Sequence, residues 1–137
     1  MANQPTILAL GADGEFLSEL DGILSRSDMR RILVHSLPVA LARAKRARRV
    51  DAVIADCEPE SGTWKCVLTD LCEPRGIPLI VTSRQADDAL WSEVLYYGGF
   101  DVLARPLRSE EVERVIASAI RSIAKPREQT KLLAMHA

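Results

Sequence analysis

Residues 51–59 read DAVIADCEP, an unbroken apolar run from Ala52 to Ala55 that closes on Asp56. A strand with one wet face alternates apolar and polar side chains. A run without alternation fits a parallel strand covered on both faces. Four more runs of this kind flank it: TILAL (6–10), RILVH (31–35), PLIVT (78–82) and DVLA (101–104), with DAVIA itself at 51–55.

The segments between them carry helical periodicity. Phe16, Leu17, Leu20, Ile23 and Leu24 form one apolar face, and Trp64, Val67, Leu68 and Leu71 another. Leu90, Trp91, Val94 and Leu95 form a third, with Trp91 read as core; Val112, Val115, Ile116, Ala119, Ile120 and Ile123 form the longest. The second helix, Val39 to Arg48, is alanine-rich. Ser36 ahead of Pro38, and Ser109 ahead of Glu110 and Glu111, mark helix starts. Gly76 and the Gly98–Gly99 pair mark stops.

Five βα units in succession imply right-handed crossovers, helices on both faces, and the flavodoxin-like doubly wound sheet in the order 2-1-3-4-5. Function in such sheets gathers at the carboxyl ends of the strands. That rule selects Asp13 after strand 1, Asp56 ending strand 3, Ser83 ending strand 4 and Arg105 ending strand 5.

Composition narrows the function classes. The chain has 137 residues, 47% of them hydrophobic, and a formal net charge of −1. This is the profile of a soluble globular domain, with no call for nucleic acid or a membrane. Neither a secretory leader nor a spanning run is visible, and the expected location is cytoplasmic. Cys57, Cys66 and Cys72 fit neither a disulfide framework nor a zinc site. The cationic run RAKRARR (43–49) reads as a solvated helix end. Tyr96 and Tyr97 are candidates for an exposed apolar surface, and His35 and His136 suggest no catalytic or metal centre.

Over residues 5–124 the sequence resembles the receiver domain of two-component response regulators. DAVIADCEP is similar to the family's phosphoacceptor strand, with Asp56 and Pro59 at the aspartate and proline. IPLIVTS is similar to its strand 4, and YGGFDVLARPL to its glycine-containing turn, strand 5 and Lys-Pro pair, with Arg105 in the lysine's place. Ser83 lies 22 positions before Arg105, a spacing that selects Ser83 over Thr82 as the family's hydroxyl.

The resemblance implies Asp56 as phosphoacceptor, Ser83 and Arg105 as phosphoryl-contact residues, and a cis Arg105–Pro106 bond. It also implies a histidine kinase or phosphotransfer protein as partner, and no enzymatic activity of its own. Residues 125–137 are read as a short tail.

The departures from the family pattern bear on its chemistry. Members carry two adjacent acids after strand 1 that help hold Mg²⁺; here these positions are Gly11 and Ala12, with Asp13 one place later. Val102 replaces the aromatic switch residue, and the loop after Asp56 is a residue or two short. Asp13 is read either as a remnant of the acidic pocket or as the N-cap of helix 1. Mg²⁺ binding is expected to be weak if it occurs, and restoring Gly11 and Ala12 to aspartate is the expected repair.

Two functions follow from the resemblance: a stand-alone receiver-like module of a phosphorelay, or a pseudo-receiver that binds proteins without phosphorylation. A third, an enzyme or cofactor binder on the same fold, lacks support. The turn GADGE has no GxGxxG fingerprint and there is no P-loop.

Overall fold

A computed structural model describes residues 4–57 and 64–136, with side chains as far as Ile123. Pro59 and the loop that the resemblance makes short therefore lie outside the described residues. The elements alternate: β1 (Thr6–Leu10), α1 (Gly14–Arg26), β2 (Arg30–Val34), α2 (Leu37–Arg46) and β3 (Ala52–Asp56). Next, α3 opens as Trp64–Cys66, widens to a π-helix over Val67–Cys72 and closes in a 3₁₀ turn, Glu73–Arg75. Then come β4 (Leu79–Ser83), α4 (Asp88–Tyr97), β5 (Asp101–Ala104) and α5 (Ser109–His136).

All strands pair in parallel, in the order β2-β1-β3-β4-β5. β1, β3 and β4 lie inside the sheet, and their runs bury residues pointing to both faces, as unbroken apolar strands require. One face packs against α1 and α5 through Phe16, Leu20, Leu24, Val112 and Ile116. The other packs against α2, α3 and α4 through Ala40, Trp64, Leu71 and Val94. Full burial of a Leu or Phe contributes about 2 kcal/mol, so these two faces supply most of the drive to fold.

Local signals explain the helix boundaries. The Ser36 side chain accepts from Val39 N, and Asp87 accepts from Leu90 N, so each caps its helix. Gly98 ends α4 at φ 106°, a backbone conformation that side chains with a Cβ resist.

Strands 2, 3 and 4 differ by one residue from the spans read in the sequence. Trp91 is corrected more substantially: it is 48% exposed, and its Nε1 donates to Asp101 Oδ1 at 3.3 Å. Val94 alone is fully buried from that face, because α4 sits against β5 at the margin of the sheet, where less surface is available to cover it. Tyr96 is 84% exposed.

The α5 backbone runs to His136, through the segment assigned to a tail. Among the described residues no helix is long and apolar enough to cross a membrane. Burial pushes the Cys72 thiol up to about 12, which suits an inert core side chain.

Candidate functional site

The carboxyl ends of β1, β3, β4 and β5 bring Asp13, Asp56, Thr82 and Arg105 together. Asp56 is the last residue of β3 and is buried, its side chain only 2% exposed. Removing a carboxylate from water is costly unless hydrogen bonds and an opposite charge replace the solvent. Both are present. Thr82 Oγ1 donates to Asp56 Oδ1 at 2.6 Å, and Arg105 Nη1 donates to Asp56 Oδ2 at 3.2 Å.

Arg105 follows β5 and enters the pocket across a cis bond to Pro106, with its own side chain 4% exposed. Its guanidinium spans three carboxylates. Besides Asp56, Nη2 reaches Asp13 Oδ2 at 3.4 Å and Nε lies 3.9 Å from Glu19 Oε1. Its central carbon stands 5.3 Å from the centre of the Phe16 ring, within range of a cation–π contact. A planar fork with several donors suits this multiple engagement better than a lysine ammonium would.

Asp13 caps α1 and also faces the guanidinium of Arg105. It is the N-cap of α1, accepting from Glu15 N at 2.9 Å, and it pairs with Arg105 and with Arg84 Nη2 at 3.6 Å. The Glu15 N–H, then Arg105 and Arg84, hold its carboxyl below the ordinary 3.8, against an opposing push from partial desolvation. A lowered folded value stabilises the protein above the unfolded value, and that contribution disappears as pH falls through the folded value. Asp13→Ala is therefore expected to flatten the acid limb of a urea-midpoint profile below 3.8 while leaving its shape at neutral pH unchanged.

Thr82, not Ser83, supplies the hydroxyl that meets Asp56. The strand register pairs Asp56 with Thr82, which puts both side chains on one face of the sheet. Ser83 is also buried, but its Oγ accepts from Gln85 N at 3.0 Å and so shapes the turn after β4. Glu19 was not singled out by the sequence pattern. Its carboxylate faces Arg105 and accepts from Leu107 N at 3.0 Å, tying α1 to the turn after β5.

The residues present do not fit the Mg²⁺ that the resemblance implies. Gly11 occupies the first acidic position, and a Cβ built there would lie 2.6 and 2.9 Å from two Phe16 ring carbons. Phe16 is fully buried, so the space of the missing carboxylate is already filled. The guanidinium of Arg105 places a fixed cation between Asp56 and Asp13. Among the described residues no three His, Cys, Asp or Glu side chains are grouped to hold a metal. A magnesium site needs oxygen ligands in near-octahedral array, and this pocket supplies an arginine and a phenyl ring instead.

No protein-family profile matches the chain, and no curated protein sequence matches it. Solved structures do. A receiver-domain protein from Clostridium thermocellum is 18% identical and superposes with a TM-score of 0.75 over 94% of this chain and 98% of its own. A response regulator from Thermotoga maritima is 18% identical, with a TM-score of 0.74 over 84% of this chain and 99% of its own. A two-component response regulator from Clostridium difficile is 19% identical, with a TM-score of 0.75 over 86% and 97%. The fold is therefore that of response-regulator receiver domains.

Proposed function

We propose that this chain is a receiver-type signalling domain that acts through contacts with other proteins, without an enzymatic reaction of its own and without depending on phosphorylation. Asp56 stands at the position of the phosphoacceptor, and Arg105 holds it in a permanent ion pair. One observation carries the reading: the 3.2 Å contact between two side chains that are 4% and 2% exposed. In an ordinary receiver chemistry a cation meets the phosphoryl group after transfer. Here the cation already occupies the carboxylate that would attack. Both Asp56 oxygens accept a hydrogen bond, one from Arg105 and one from Thr82, and each bond lowers the nucleophilicity of the carboxylate. We place the protein in the cytoplasm, whose reducing conditions keep cysteines as thiols.

A second reading keeps Asp56 as a working acceptor within a phosphorelay, served by a histidine kinase or phosphotransfer protein. It is favoured by a hollow lined by Glu15, Glu19, Arg84, Arg105 and Pro106, which opens beside the pair and offers two guanidinium groups to a phosphoryl group. Incubation with acetyl phosphate and Mg²⁺ followed by intact-mass spectrometry separates the two. The expected spectrum shows unmodified protein. An adduct that disappears in Asp56→Asn would establish the phosphorelay instead.

A further inference from the structure

The charge of this chain is unevenly placed. The segment from Arg30 to Arg49 holds seven of the 18 Lys and Arg residues and none of the 19 Asp and Glu, leaving eleven cations against nineteen acids, a net of −8, for the rest. The segment is β2, α2 and the turn that follows α2. A formal net charge near zero therefore conceals a basic edge on an acidic body. At physiological salt, charges are felt over about 8 Å, so an approaching molecule meets the edge and not the average.

Most of these cations are uncommitted. Arg31 pairs with Asp21 at 2.6 Å and Arg49 with Asp51 at 2.7 Å. Arg43, Lys45, Arg46 and Arg48 are exposed, and none forms an ion pair among the described residues. The α2 macrodipole accounts for one or two cations in its last turn, not for a run that continues through Arg48 beyond the helix. Because a crossover helix runs antiparallel to its strands, the end of α2 lies at the edge of the sheet opposite Asp56. Beside it, β2 pairs with β1 alone among the described residues and presents its other backbone edge unpaired by them.

We infer that the β2–α2 edge is a docking surface for an acidic segment of a partner protein. Charge complementarity selects an anionic partner, and the other residues of the patch select a protein. The stretch from Arg30 to Arg49 has no Tyr, Trp or Phe to stack on a base. Apart from its Arg and Lys it has none of the neutral donors, Asn, Gln, Thr or glycine-rich backbone, that help fix the register of a nucleic acid, and Ser36 is its one hydroxyl, already used as the cap of α2 through Val39 N. What the patch does offer is suited to a peptide: guanidinium forks for carboxylates, an exposed Val39 at 47%, and the outer edge of a strand. The inference assumes that the domain works through protein contacts, but it uses none of the residues around Asp56.

The test uses the full chain and a fluorescent glutamate-rich peptide, read by anisotropy. The variant is Arg43→Gln, Lys45→Gln, Arg46→Gln and Arg48→Gln combined, all exposed positions that the fold does not need, with circular dichroism to confirm folding. The peptide should bind wild type, weaken as salt rises from about 50 to about 200 mM, and bind the variant about tenfold less tightly or worse. A glutamine version of the peptide should not bind. Equal binding to wild type and variant, or no binding to wild type, would overturn the inference. So would tighter binding to a DNA duplex or to phosphatidylserine vesicles at the same salt. Phosphorylation of Asp56 would refute the standing ion pair and leave this surface untouched.

Discussion

Arg105→Ala should lower the free energy of unfolding by about 3–5 kcal/mol, the usual cost of stranding a buried charge. The substitution leaves the Asp56 carboxylate buried without this counter-charge and removes the cation that bridges Asp56, Asp13 and Glu19. Urea unfolding measures the loss. Asp56→Asn introduced into Arg105→Ala should recover a good part of it, since an amide tolerates burial better than a lone carboxylate. Arg105→Lys should fall between, keeping the charge while losing the fork that reaches several oxygens at once. A loss below about 1 kcal/mol for Arg105→Ala would mean the pair is solvated and no stronger than a surface contact.

Gly11→Asp should damage the protein without creating a metal site. The new Cβ would stand 2.6 Å from a ring carbon of Phe16, a contact that real structures do not tolerate, so the ring or the strand end must move. Overpacking of this kind costs about 1–3 kcal/mol, and here a carboxylate is also forced against a buried phenyl ring. Ala12→Asp, at an exposed position, should be nearly neutral. The double variant should therefore melt earlier than wild type and show no Mg²⁺-dependent change in the fluorescence of Trp64, which sits just beyond the Asp56 loop. This reverses the expectation that restoring two acids restores the site. If the double variant keeps wild-type stability and titrates with Mg²⁺, Phe16 is not the obstacle.

The fold was legible because its signal is redundant. Five apolar runs, four helical faces and glycines at helix ends each point independently to the same alternation. Asp56, Asp13 and Arg105 were legible for a related reason: doubly wound sheets gather side chains at strand ends, so correct strands select nearly correct residues. The failures trace to finer geometry. Strands read at 51–55 and 78–82 differ by one residue from those observed, yet Asp56 is paired with Thr82 in the actual register. A spacing counted back from Arg105 instead selects Ser83, and in a strand one residue is the difference between opposite faces. Phe16 was counted as core, correctly, but nothing in helical periodicity says that its ring fills the space above Gly11. Glu19 lies three residues farther along α1, and its contact with Arg105 depends on how α1 packs over the turn after β5, which no local pattern encodes.

The standing ion pair is tested most directly by two-dimensional amide NMR of the wild-type protein, alone and with Mg²⁺ plus beryllofluoride, a mimic of a carboxyl-bound phosphoryl group. With Arg105 and Thr82 already holding both oxygens of Asp56, the spectrum should be unchanged, including the amides of Asp13, Cys57, Ser83 and Arg105. Saturable shifts at those amides, lost in Asp56→Asn, would show that the carboxylate is available and that the pair yields to a phosphoryl group.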